Sequence, residues 1–255
     1  GGTTAFAEVG ADPQRVLVLP VDAQLLALRR AARRRVAERA GIRDHLDVVD
    51  PDGVHDPRRT FLGLVEEKEL PDDFVGAIRR YKFRGSSGKV NLALSELPSF
   101  TALPGDGPHL KGAIAIAPSV DYLERAYDDA KYGEVSREPY MDIVIPSMID
   151  PLMAPPGQHV MSIFVQYAPY ALNGGWTDAK REAFGNAVVK TLARHAPNIE
   201  SLIVGRQVLT PADIERVTGL TEGNIFQGEL ALHQLFFMRP APEWAKYRTP
   251  VRNYW

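Results

Sequence analysis

From Pro57 onward, proline and glycine cut the chain into short runs, several with alternating apolar and polar residues. That pattern restricts the fold to short strands with helices between them. Lys89 to Leu94 (KVNLAL) alternates as a strand with one face buried does, and Gly112 to Ala117 (GAIAIA) reads as a second strand stopped by Pro118. Asp142 to Ile145 and His159 to Tyr167 are the next strands, separated by the proline-rich loop from Pro146 to Gly157. Ser201 to Leu209 is the last.

Three helices accompany them, two between strands and one after the last. Ser119 is a good N-cap for a helix reaching Lys131, with Gly133 as its stop and Val120, Leu123, Tyr127 and Ala130 at helical spacing. Asp178 to His195 follows Thr177 as N-cap and carries Phe184, Val188 and Leu192 as its apolar stripe. Thr210-Pro211-Ala212-Asp213 reads as a capping box with proline at the first helical position, and Gly219 closes that helix. The apolar run Leu230 to Met238 fits a strand or a helix. The order predicts an α+β fold, a largely antiparallel sheet with helices on one face.

Residues 1 to about 56 differ. Asp22 to Arg39 reads as one helix ended by Gly41, with a narrow stripe of Leu25, Leu28, Ala32 and Val36. Its arginines, among them Arg29, Arg30, Arg33 and Arg34, have no aromatic residues interleaved for base stacking, so they read as a solvated face. The net charge of -2 gives no general attraction to nucleic acid or an anionic membrane. No apolar run approaches the roughly 18 residues of a membrane span. With no cysteine, disulfides, thiolate metal sites and cysteine nucleophiles are excluded, and the expected setting is cytoplasmic. The first methionine is Met141, and the expectation is that the chain is a piece of a longer product.

Familiar catalytic patterns fail. Arg84 to Lys89 has the look of a phosphate loop, but Phe83 and Val90 occupy positions that need glycine and Ser or Thr. Gly105 and Gly107 start a dinucleotide fingerprint that Leu110 breaks. There is no G-x-S-x-G elbow, the six histidines are scattered, and no metal site is expected. Asp72-Asp73 and Asp128-Asp129 read as surface carboxylates. No catalytic residue can be assigned from site chemistry.

The loops say more. They run through Asp56 to Phe61, Lys89 to Asn91 with Leu97 to Phe100, Pro146 to Pro151, Ala154 to His159 and Gln166 to Tyr170. They continue with Thr210 to Glu215, Gly223 to Gly228, Arg239-Pro240 and Tyr247 to Asn253. In this order and spacing they resemble the phytoene-dehydrogenase-like (carotenoid desaturase-like) FAD oxidoreductases. Within that family they are most similar to the subgroup of pyridine nucleotide-disulphide oxidoreductase domain-containing proteins. The resemblance covers about residues 56 to 255; residues 1 to 55 do not share it.

The resemblance implies a sheet-based substrate domain of flavin amine oxidase or phytoene desaturase type over residues 57 to 255. Its return toward an FAD domain begins near 245 to 255. The FAD domain itself is incomplete, since the family's glycine-rich FAD segments fall outside this stretch. The implied chemistry is hydride transfer from a small hydrophobic substrate to FAD, with the flavin performing the reaction. Gly223, Asn224, Ile225, Phe226, Gln227 and Gly228 match a loop that passes near the flavin ring. Tyr167 and Tyr170 match positions near the substrate cavity. Gln227 departs from the family, which often has histidine there. A non-catalytic binding module with the same fold is the alternative. For the chain alone, an exposed apolar face and self-association through it are expected.

Overall fold

The computed structural model describes residues 56–251, so the expected helix at 22–39 and the segment from Arg252 on lie outside the described residues. Five strands form one sheet: β1 (Ser87–Leu94), β2 (Ile114–Ile116), β3 (Tyr140–Val144), β4 (His159–Gln166) and β5 (Ile203–Leu209). They lie in the order β2-β3-β4-β1-β5, and every pairing is antiparallel. Helices α1 (Asp72–Arg80), α2 (Val120–Lys131), α3 (Asp178–Ala193) and α4 (Pro211–Thr218) complete an α+β fold.

Period-two alternation determines which side chains enter the core. Val90, Leu92 and Leu94 of β1 join Met141 and Ile143 of β3 and Met161, Ile163 and Val165 of β4 on one buried face. Across it lies α3, whose Phe184, Val188 and Leu192 are at most 1% exposed, as their spacing predicts. Thr177 caps α3 by accepting a bond from the Lys180 amide at 3.3 Å. The capping box of α4 is closed reciprocally: the Asp213 amide donates to Thr210 Oγ1 at 3.2 Å and the Thr210 amide to Asp213 Oδ2 at 3.0 Å.

Three expectations are corrected. The predicted stripe of α2 is not its buried face: Tyr122 and Ala126 are buried, while Val120 is 73% exposed and Tyr127 projects outward. Tyr122 turns inward because its hydroxyl donates to the Pro139 carbonyl at 2.8 Å. The second strand is shorter than expected, since only Ile114–Ile116 face β3 partners. Leu230 to Met238 is neither strand nor helix but two short 3-10 turns, Leu232–Gln234 and Phe236–Met238.

Helix α1 escaped the sequence reading, although acidic Asp72 and Asp73 in its first turn and basic Arg79 and Arg80 in its last complement the helix dipole. Its Phe74, Val75 and Ile78 form a second apolar cluster with Phe61, Leu70 and Ala241, flanked by Trp244. Phe74 meets Phe61 and Trp244 edge-on at ring-centroid distances of 4.9 and 5.4 Å. This cluster joins the stretch that precedes the sheet to the stretch that follows α4.

Candidate functional site

The two stretches also meet through Asp56, a carboxylate only 1% exposed. Its Oδ1 accepts from the amides of Arg58 and Arg59 at 2.9 and 3.1 Å, and its Oδ2 accepts from the Thr221 amide at 2.7 Å. Three amides satisfy an otherwise costly buried charge, and together they hold the turn that opens the Gly223–Gly228 loop.

That loop separates into frame and face. Gly223, Asn224 and Gly228 are buried, whereas Ile225, Phe226 and Gln227 are exposed. Asn224 is the frame's centre. Its Oδ1 accepts from the Phe226 amide at 2.8 Å and the Gly228 amide at 3.4 Å, and its Nδ2 donates to the Phe83 carbonyl. Gly223, at φ 63°, and Gly228, at φ 146°, need glycine on two counts. A Cβ would lie 2.2 Å from the Pro211 carbonyl oxygen at the first and 2.2 Å from Tyr81 Oη at the second.

Arg239 reaches back over the loop, donating to the carbonyl of Phe226 and, at 3.5 Å, to that of Gly228. Its guanidinium also lies 5.7 Å from the Tyr81 ring centroid. The Tyr81 hydroxyl is buried and has no hydrogen-bond partner among the described residues. Burial pushes its pKa up against the opposing charge of Arg239. Gln234 accepts from the Lys82 amide at 2.8 Å and donates to the Lys82 carbonyl at 2.9 Å. These bonds fix the chain path through backbone and leave its apolar side chains outside. Leu232, Phe236 and Phe237 are 89%, 82% and 74% exposed, and Leu230 is exposed with them.

The two tyrosines have different partners. Tyr170 donates to Glu215 Oε2 at 2.5 Å, a bond that pushes its pKa up to about 12. Glu215 in turn accepts from the Glu222 amide at 3.0 Å, so Tyr170 is tied to the turn that leads into the loop. Tyr167 instead stands edge-on to Tyr127, with centroids 5.4 Å apart. Burial raises its pKa, with the Tyr127 neighbour adding to the shift.

Among the described residues, no cluster of three His, Cys, Asp or Glu could hold a metal ion, and no helix is long and apolar enough to cross a membrane. Asp56, Tyr81, Glu215 and Arg239 build the loop's frame, yet no sequence pattern marked them as partners. Only the loop motifs holding Asp56, Glu215 and Arg239-Pro240 pointed toward this region.

No protein-family model matches the chain. Over 205 residues it is 38% identical to the pyridine nucleotide-disulfide oxidoreductase domain-containing protein 2 of Mus musculus. The protein of the same name from Rattus norvegicus is 39% identical over 205 residues, which are 77% of this chain and 35% of that relative. The chain is therefore similar, over most of its own length and about a third of theirs, to proteins whose name describes a pyridine nucleotide-disulfide oxidoreductase domain.

Proposed function

We propose that this chain is the substrate-facing domain of an FAD-dependent oxidoreductase of phytoene-dehydrogenase-like kind, which removes hydride from a small hydrophobic substrate. The observation that carries this reading is the Gly223–Gly228 loop: a polar frame holds its backbone while Ile225 and Phe226 point outward beside an exposed apolar stretch. Similarity to proteins named for an oxidoreductase domain supports the same reading.

The residues present fit one side of a flat aromatic ring system. Ile225 and Phe226 supply apolar contact, and the left-handed turn at Gln227 and Gly228 brings backbone close to the surface. Among the described residues there is no glycine-rich turn at a helix start to take a pyrophosphate, so the phosphate end must be held by other parts of the protein. The flavin, when bound, supplies the two-electron acceptor.

What this chain contributes is position and dryness. Asn224, Arg239 and Asp56 keep the loop in one conformation, which lowers the ordering cost of binding. Ile225, Phe226, Phe236 and Phe237 exclude water when covered. Tyr170, its hydroxyl donating to Glu215, stays neutral across the physiological range and braces the turn ahead of the loop.

The test is spectroscopic. A protein extended at both ends by its flanking coding sequence should purify with the visible absorption of bound flavin, and substrate should bleach it. A colourless, well-folded extended protein that FAD cannot reconstitute overturns the proposal.

A further inference from the structure

The sheet has a second face, and its composition is unlike the first. The buried apolar cluster of the sheet lies on the α3 side. Register places Lys89 on the opposite side in a row with Phe164 and Leu209. Asp142 and Ala115 continue that row beyond Phe164. The next row holds Val144, Ser162, Asn91 and Gln207. Side chains on these two rows are half-buried or exposed, with no second apolar layer built on them among the described residues.

Three features distinguish this face from a merely solvated one. First, its polar side chains are already ordered, since Asn91 Nδ2 donates to Gln207 Oε1 at 3.0 Å across two strands. Second, one edge is aromatic: Tyr140 neighbours Tyr167, which in turn meets Tyr127. Third, the charges are unequally engaged. The Asp142 carboxylate stands beside the Tyr140 phenol and, with burial, pushes its pKa up to about 12. Lys89, on β1 between Phe164 and Leu209, makes no ion pair and no side-chain hydrogen bond among the described residues. The acid of this face has a phenol beside it, while among the described residues the Lys89 ammonium has no partner.

We infer that this second sheet face, centred on Lys89, is a binding surface for a small molecule joining an anionic group of carboxylate type to an apolar body. The ammonium takes the anion while Phe164, Leu209 and the tyrosine edge take the apolar part. The inference rests on the oxidoreductase reading above, which makes this domain the one that presents substrate. It adds a class: an acid with a hydrocarbon body, in preference to a neutral or amine-bearing hydrocarbon.

The experiment uses the full 255-residue chain and three probes of equal chain length: dodecanoate, dodecanol and dodecylamine. Calorimetry should show dodecanoate binding about tenfold more tightly than dodecanol, as one charge-assisted bond supplies. Dodecylamine should bind most weakly. Lys89→Met should abolish the preference for the acid while leaving dodecanol affinity unchanged, and Lys89→Arg should keep it. Amide shifts on titration should fall at Asn91, Ser162 and Gln207.

Equal affinity for acid and alcohol, a preference that survives in Lys89→Met, or shifts confined to Phe226–Phe237 overturns the inference. The two proposals fail separately. Flavin retention by the extended protein without a Lys89-dependent preference sinks this one alone. A Lys89-dependent preference in an extended protein that cannot hold flavin sinks the oxidoreductase reading alone.

Discussion

The sheet with α3 and the segment following α4 use opposite means to hold their shape. In the first, apolar burial does the work: Val90, Ile143, Ile163, Val165, Val188 and Leu192 show no exposed surface at all. In the second, side-chain bonds to backbone from Asn224, Gln234 and Arg239 set the path, and the large apolar residues stay outside. The second also keeps non-glycine residues Glu222, Gln227, Phe236, Glu243 and Tyr247 at positive φ, each a cost of about 1–2 kcal/mol. A chain holds such a conformation only where its surroundings over-determine it. The contrast separates a region built for stability from one built to present a surface.

The largest effect should come from emptying the first region. Phe184→Ala removes a ring that is 1% exposed and should cost about 3–5 kcal/mol of unfolding free energy in urea titrations. A loss below about 1 kcal/mol would show that α3 is not the keystone of the sheet.

Next comes Asp213, which joins the two regions by capping α4 and bonding Arg181 at 3.0 Å. Burial opposes its charge, yet the bonds from Arg181 and Thr210 outweigh that and hold its pKa below the usual aspartate value. The native state therefore binds this proton less readily than the unfolded chain does. Its stabilisation is complete above the ordinary value of 3.8 and fades as pH falls below that, through the lowered native value. Asp213→Asn should cost about 1–3 kcal/mol at neutral pH and remove that acid-limb dependence. An unchanged pH profile of the melting temperature in the variant would show that another group governs it.

Asn224→Ala probes the second region. It should cost about 1–2 kcal/mol, concentrated in the loop, and speed hydrogen exchange at the Phe226 and Gly228 amides while α3 amides keep their protection. Equal acceleration in both places would abolish the distinction between the regions.

The smallest effect on stability belongs to the paired change Phe236→Ser and Phe237→Ser, within about 0.5 kcal/mol because both are already exposed. Its readout is association. Light scattering should show the unaltered chain forming larger species with rising concentration and the double variant remaining monomeric. A clean monomer in both removes the support for a covered face.

Much of the first region was legible in the residues. Alternation in KVNLAL, the Phe184–Val188–Leu192 stripe and the Thr210 capping box all appear as expected, because each is decided within a few neighbouring residues. The site was legible only as a set of loop motifs. Half of the Gly223–Gly228 loop turned out to be frame and half surface, and spacing does not say which.

By itself, then, the sequence determined most of the element types, most of their caps and the apolar face of each central strand, since propensity, capping and period two act locally. Tertiary structure alone decided which way α2 turns, what becomes of Leu230 to Met238, and the bond from Thr221 to Asp56 across 165 positions. Those outcomes depend on buried polar groups finding partners far along the chain. An unpaired carboxylate or carbonyl in the interior costs more than a local propensity can return.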